Sequence, residues 1–227
     1  MFAARDNPGQ SPNWSGYAVI SSPGSVSDVV GSWKVTAIAG NCTSDGYSAF
    51  WVGIDGVSSS TIEQIGSESD CQNGATTYYT WYEFYPRHSR DLFEVNPGDF
   101  MSAEVKYLGR SSFFASITDT TTGQSFNVTA RVNAQRSSAE WVTEAPARMG
   151  SGRRVRTTIL PLANFGTVPW EDCYATLNGT TGSAGSFGSL AQPITMVGPD
   201  SQITEAQPST LSQDGASFTV QWTSHNE

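Results

Sequence analysis

Two side chains, one that ionises and one that does not, carry the most chemical potential in this sequence. They are Glu140, in Ser138-Ala139-Glu140-Trp141-Val142-Thr143-Glu144, and Gln64, in Thr61-Ile62-Glu63-Gln64-Ile65-Gly66. A carboxylate can take a proton from water and return it to a leaving group, and a primary amide can donate hydrogen bonds to a developing oxyanion without ever ionising. Together they could hydrolyse a peptide bond in acid. Taken singly, a Glu or Gln on a strand is usually a solvated surface residue, so the weight of the pair rests on its context.

Other chemistries find fewer parts. A Ser-His-Asp triad would have to use His88, in the polar stretch Tyr85-Pro86-Arg87-His88-Ser89-Arg90, or His225, two residues from the end, and no Gly-x-Ser-x-Gly elbow is present. There is no Cys-x-x-Cys or His-Glu-x-x-His spacing, so neither a metal nor a cofactor is expected. A carbohydrate-active alternative would use Glu83 and Glu140 as paired carboxylates, or exposed Trp and Tyr as a lectin surface. It lacks a Glu-x-Asp-x-x-Glu run and leaves Gln64 without a purpose.

Three further segments set the context: Phe50-Trp51-Val52-Gly53-Ile54-Asp55-Gly56, Trp81-Tyr82-Glu83-Phe84-Tyr85-Pro86 and Asn164-Phe165-Gly166-Thr167-Val168. With them the chain resembles the glutamic peptidases, also called eqolisins or family G1. The similarity runs from Asn13-Trp14-Ser15-Gly16-Tyr17 to Ser217-Phe218-Thr219-Val220-Gln221-Trp222. The resemblance implies an acid-acting, pepstatin-insensitive endopeptidase that needs no cofactor and acts on proteins or peptides as a secreted monomer. It implies Glu140 as general base and then acid, and Gln64 as holder of the water and oxyanion donor. Trp51, Asp55, Glu68, Trp81, Glu83, Tyr85 and Glu144 would orient that pair or line the groove. The sequence departs from the family pattern at Glu68, where an Asp is usual four residues after the glutamine, and at Phe84, where a Trp is frequent.

The elements that must position these residues read as strands. At 227 residues, with 22 Gly and only 15% Asp, Glu, Lys and Arg, the composition suits many short strands joined by tight turns in a single domain, 1–227, with 1–12 as a flexible N-terminal segment. Period-two patterns predict strands at Tyr17–Ile20, Val29–Ala37, Ser48–Asp55, Ile62–Glu68, Thr76–Tyr85, Phe100–Leu108, Phe113–Thr118, Ser125–Ala130, Ala139–Thr143, Thr195–Val197, Ile203–Ala206 and Phe218–Thr223. The stretch 179–188 reads as a turn-rich loop. The expected class is all-β and antiparallel, and the resemblance narrows it to a concanavalin-like sandwich of two large antiparallel sheets.

Alternation places Gln64, Gly66 and Glu68 on one face of their strand, and sets Trp81, Glu83 and Tyr85 opposite Tyr82 and Phe84. The row Trp81, Glu83 and Tyr85 suits a groove wall, with Tyr82 and Phe84 supplying the buried side. Trp51 and Asp55 likewise share a face.

A formal net charge of −9 argues against a nucleic-acid partner. The one basic run, Arg148 to Arg156 with Arg153, Arg154 and Arg156, reads as a solvated loop, with processing or docking as its alternative. No apolar run is long enough to span a bilayer. Cys42 and Cys71 flank the Trp51 and Gln64 strands, so a disulfide between them would staple that region in an exported protein. Pairings that use Cys173 stay open. Asn13, Asn41, Asn127 and Asn178 each begin an Asn-x-Ser/Thr sequon.

Overall fold

The computed structural model describes residues 9–149, 157–198 and 203–224. Among these the chain forms 18 strands and one short 3₁₀ helix. The first nine strands are β1 (Gln10–Ser11), β2 (Trp14–Ile20), β3 (Val26–Lys34), β4 (Gly46–Ile54), β5 (Ile62–Gln72), β6 (Ala75–Tyr85), β7 (Arg90–Glu94), β8 (Phe100–Gly109) and β9 (Ser112–Asp119). The rest are β10 (Ser125–Arg131), β11 (Ser138–Glu144), β12 (Ala147–Met149), β13 (Thr157–Ile159), β14 (Thr167–Leu177), β15 (Thr180–Ser183), β16 (Ala191–Val197), β17 (Thr204–Pro208) and β18 (Phe218–Trp222). The helix, Ala184–Leu190, follows β15, so the stretch expected as a turn-rich loop is partly ordered. Of the segment expected to be flexible, residues 1–8 lie outside the described residues, while Gln10–Ser11 pairs in parallel with β16.

Hydrogen bonding runs continuously through one path, β10-β9-β8-β3-β14-β18-β17-β16-β2-β11-β4-β5-β6-β7. The expected all-β, antiparallel class holds, and the strands are linked into one large near-closed ladder. Strand β16 joins its halves by pairing with β2 through Ala191–Ile194 and with β17 through Met196–Val197. The halves face each other across the main core: Trp33 on β3 donates its indole N–H to Ser67 Oγ on β5 at 2.8 Å, and Trp141 on β11 donates to the Val30 carbonyl at 2.7 Å. The path's first strand also meets its last but one, with Tyr82 of β6 stacked on Phe126 of β10 at 5.6 Å.

Alternation explains most of the pattern. In β9 every second residue is buried, so Phe113, Ala115 and Ile117 enter the core. β4 is buried along its whole length because both its faces are covered. Phe50, Val52 and Ile54 join the main core, and Ala49 and Trp51 join a smaller cluster with Trp14, Ile62, Trp81 and Val142 on the opposite face.

Strand β14 is the element that the sequence pattern hides. Pro169 falls where it pairs with β18, and a register shift between Glu171 and Tyr174, with Asp172 at φ 52°, breaks the alternation against β3. A disulfide joins Cys42 to Cys71 across 29 residues, and Cys173 is a buried free thiol. Closing a loop of that length stabilises by roughly 3–4 kcal/mol in the chain-entropy picture.

Candidate active site

Three registered rows cross β11, β4, β5 and β6 on the face away from the main core. Glu140 stands level with Gly53, Gln64 and Glu83; Val142 with Trp51, Gly66 and Trp81; and Glu144 with Ala49, Glu68 and Tyr79. Because side chains alternate along a strand, all of these residues share one side. Over this side lies a cleft of about 380 Å³ lined by Gln64, Glu68, Asp70, Tyr79, Trp81, Glu83, Tyr85, Asp91 and Glu144. Pro146, Ala147, Arg148 and Thr157 of the β12–β13 hairpin form part of its rim. Arg153, Arg154 and Arg156 of the basic run lie outside the described residues.

Trp51 organises the floor. A Cβ at Gly66 would stand 2.6 Å from the Trp51 Cβ, and one at Gly53 would stand 2.9 Å from its six-membered ring, so glycine at both positions makes room for the indole. Trp14 packs edge-on against the ring, with centroids 4.9 Å apart. Held in this way, the Trp51 Nε1–H donates to Glu144 Oε2 at 2.8 Å, and Asn13 Nδ2 donates to Glu144 Oε1 at 3.0 Å. Burial raises the Glu144 pKa, and these donors work against that rise by favouring the charged form.

The wall opposite is rich in carboxyl groups. Gln64 Nε2 donates to Glu83 Oε2 at 2.7 Å, and the Tyr79 hydroxyl donates to Glu68 Oε2 at 2.8 Å and reaches Asp70 Oδ2 at 3.3 Å. Burial first, then the charge of Asp70, pushes Glu68 up to about 8. Asp70 is raised to about 7, mainly by burial against the opposing bonds from the Ser48 backbone and Tyr79. Burial also raises Glu83 to about 7, with the charge of Glu144 adding and the Gln64 bond subtracting. At low pH these groups are neutral and can act as hydrogen-bond donors as well as acceptors.

The structure distributes the sequence-nominated residues unevenly. Gln64, Glu68, Trp81, Glu83, Tyr85 and Glu144 line the cleft, and Trp51 supports it from below. Glu140 does not line it, being fully buried in the row of Gly53 and Gln64. Asp55 does not face the site either. It lies just beyond the end of β4 with φ 74°, and its carboxylate accepts from Arg136 N (2.7 Å), Ser137 N (2.8 Å) and Ser137 Oγ (2.9 Å). Its work is to tie the entrance of β11 to the end of β4. His88 lines a separate groove beside Arg87 and Arg90, and His225 lies outside the described residues.

Sequence reasoning overlooked Asn13, Asp70 and Tyr79. Asn13 carries a sequon, yet its side chain is buried on Glu144. Period two was the available signal for Asp70 and Tyr79, since they continue the Gln64–Glu68 and Trp81–Glu83 faces by one step. Among the described residues no group of three or more His, Cys, Asp or Glu is arranged to hold a metal ion.

The sequence model of the peptidase A4 family matches residues 12–222. Aspergillopepsin-2 of Aspergillus niger is 30% identical over 196 residues, which cover 75% of this chain and 66% of that protein. Scytalidopepsin B of Scytalidium lignicola is 31% identical over 176 residues, covering 74% and 64% respectively. The chain thus spans just under two-thirds of the length of these relatives. Among solved structures, scytalido-glutamic peptidase with a peptide-based transition state analog superposes with a TM-score of 0.78 at 25% identity, covering 93% of this chain and 98% of that one. Aspergilloglutamic peptidase from Aspergillus niger does so with a TM-score of 0.62 at 27% identity, covering 78% and 99%.

Proposed function

Because the chain belongs to the peptidase A4 family, the glutamic peptidases that its motifs resemble, we propose that it is an acid-acting endopeptidase with Gln64 and Glu144 as its working pair. The observation that carries this reading is that Gln64 and Glu144 open into one cleft, with Glu144 oriented by Trp51 and Asn13. Glu140, the base expected from the motif alone, lies four residues away on the same strand face but outside the cleft lining. The general base therefore moves from Glu140 to Glu144.

The chemistry follows from the carboxyl crowd. Several acids in one cleft cannot all ionise together, and as pH rises the first proton leaves where donors best stabilise the anion. Glu144, with the indole N–H and the Asn13 amide on its two oxygens, is that group. Its carboxylate takes a proton from water as the water oxygen bonds to the scissile carbonyl carbon. Gln64 donates its amide hydrogens to the resulting oxyanion, and Glu144 returns the proton to the amine as the C–N bond breaks. Glu68, Asp70 and Glu83, whose pKa values burial raises, stay neutral and do not repel the oxyanion, which is why the site belongs in acid.

The transition state analog bound by scytalido-glutamic peptidase fits a substrate class of proteins and peptides for this chain. The two halves of the ladder, which face each other across one core, fit a concanavalin-like sandwich forming a single domain, and a monomer is part of the same proposal. The Cys42–Cys71 bond supports an exported protein, and among the described residues no helix is long and apolar enough to cross a membrane. The test is incubation with denatured protein at acid pH with pepstatin present, read by mass spectrometry. New internal peptide termini are expected; intact protein under all acid conditions would refute the activity.

A further inference from the structure

Gln64 is the one member of the working pair whose two ends differ in what they offer. Its Nε2 is engaged by Glu83 Oε2 at 2.7 Å, while its Oε1 is buried with no hydrogen-bond partner. An oxyanion donor oriented in this way has one of its two N–H bonds spent on a carboxylate and its carbonyl left over. A carbonyl oxygen repels a developing negative charge, so this orientation is the wrong one for catalysis. The ends of a carboxamide are nearly identical in shape, and exchanging them takes only rotation about the last side-chain bond. What decides between them is the partner.

We propose that Glu83 is the positioning residue that aims Gln64. When protonated it donates its O–H to Gln64 Oε1 and leaves both Nε2 hydrogens for the oxyanion; when ionised it accepts one Nε2 hydrogen and leaves at most the other for it. The proposal rests on the reading of Gln64 as the oxyanion donor and adds a switch that limits activity on the alkaline side.

The surroundings of Glu83 favour the proton. Glu83 and Gln64 are register partners on β6 and β5, so their side chains meet directly. The same cleft presents Glu68 and Asp70 from β5, Tyr79 and Tyr85 from β6, Asp91 from β7 and Glu144 from β11. Among the described residues, Arg148, at the rim, is the only basic residue that lines the cleft. The acids oppose a charge on Glu83 and Arg148 favours one. Burial, with the charge of Glu144, raises Glu83 to about 7, which puts the switch between acid and neutrality.

The test compares kcat and KM against pH for the wild-type protein, Glu83→Gln, Glu83→Ala and Gln64→Ala, with circular dichroism at each pH to follow the fold. An amide at position 83 can donate to Oε1 at every pH. Glu83→Gln should therefore keep its acid kcat within about threefold while its alkaline limb moves up by about one pH unit or more. Glu83→Ala can aim nothing and should lose about 10–100-fold in kcat with little change in KM.

An alkaline limb in Glu83→Gln that superimposes on the wild type would overturn the proposal, as would equal behaviour of the Gln and Ala variants. Should Glu83→Gln fail to fold, the side-chain amide ¹⁵N resonance of Gln64 in the wild-type protein decides. It must titrate at the pH of the alkaline kcat limb, and a flat response overturns the aiming. Full activity in Gln64→Ala would remove the donor role itself, whereas an inactive Gln64→Ala beside an unchanged Glu83→Gln profile removes only the switch.

Discussion

The two faces of β4, β5, β6 and β11 are built from alternate residues of the same strands, yet they follow opposite rules. Toward the main core the strands present Phe50, Val52, Ile65, Phe84 and Trp141, whose burial carries no charge and depends little on pH. Toward the cleft they present Gln64, Glu68, Asp70, Glu83 and Glu144, whose burial is tolerable only while most of them hold a proton. A period of two thus lets one set of strands be both a permanent scaffold and a conditional site. Glu63 shows what happens when the rule is crossed. It is a carboxyl among core-facing positions, and burial and then the charge of Asp55 push it up to about 9.

The largest effect should come from the two glutamates of β11. Glu144→Gln keeps shape and removes the proton carrier, so a folded variant should lose 10³-fold or more in kcat, on the order seen when a proton-transfer group is deleted. Glu140→Gln, outside the cleft lining, should keep turnover within about tenfold while altering stability. If the two outcomes were exchanged, in kcat on a quenched peptide, the cleft assignment would be reversed. Gln64→Ala comes next, with an expected loss of about 10²–10³ in kcat and less change in KM, as for deletion of one oxyanion donor. A loss confined to KM would make Gln64 a binding residue only.

Stability should divide along the same line. Glu68, Asp70, Glu83 and Glu63 all have native pKa values raised to about 7–9, whereas in the unfolded chain they titrate near about 4. Between those limits the native state holds protons that the unfolded state has released, so stability is fully present below pH ~4 and falls as pH rises through ~7–9. Thermal unfolding should show a midpoint at pH 8 lower than at pH 4 by about 10 °C or more. A midpoint that climbs toward neutrality would mean that the cleft acids are not strained by ionising.

These residues also show what a sequence can disclose. Alternation exposed the Trp81-Glu83-Tyr85 and Gln64-Gly66-Glu68 faces, because side-chain direction in a strand is a local property. It could not rank Glu140 against Glu144, since both point the same way and differ only in what crosses above them: Trp51 and Asn13 arrive from 93 and 131 residues away. Likewise β14 was obscured by Pro169 and the irregularity at Glu171–Tyr174, which partner strands accommodate but a local pattern reads as an interruption. Long-range hydrogen bonding, more than propensity, separates the legible part from the rest.

The smallest effect should come from Asp55, and it tests whether that residue belongs to the scaffold or to the site. The motif Trp51-Val52-Gly53-Ile54-Asp55-Gly56 invites a catalytic role, but the carboxylate accepts three hydrogen bonds from Arg136 and Ser137 and faces the turn that leads into β11. Asn in its place tolerates the positive φ and still offers one oxygen, but its NH₂ end would meet backbone N–H donors. Leaving buried donors unmatched costs about 1–3 kcal/mol, so Asp55→Asn should lower the unfolding midpoint by several degrees. With the charge beside it gone, Glu63 should ionise at a lower pH, which shifts the alkaline fall in stability without touching the cleft. Kinetics on the folded variant should therefore show kcat within about threefold of wild type and unchanged pH limbs. A kcat loss comparable to that of Gln64→Ala, with stability intact, would return Asp55 to the catalytic side of the comparison.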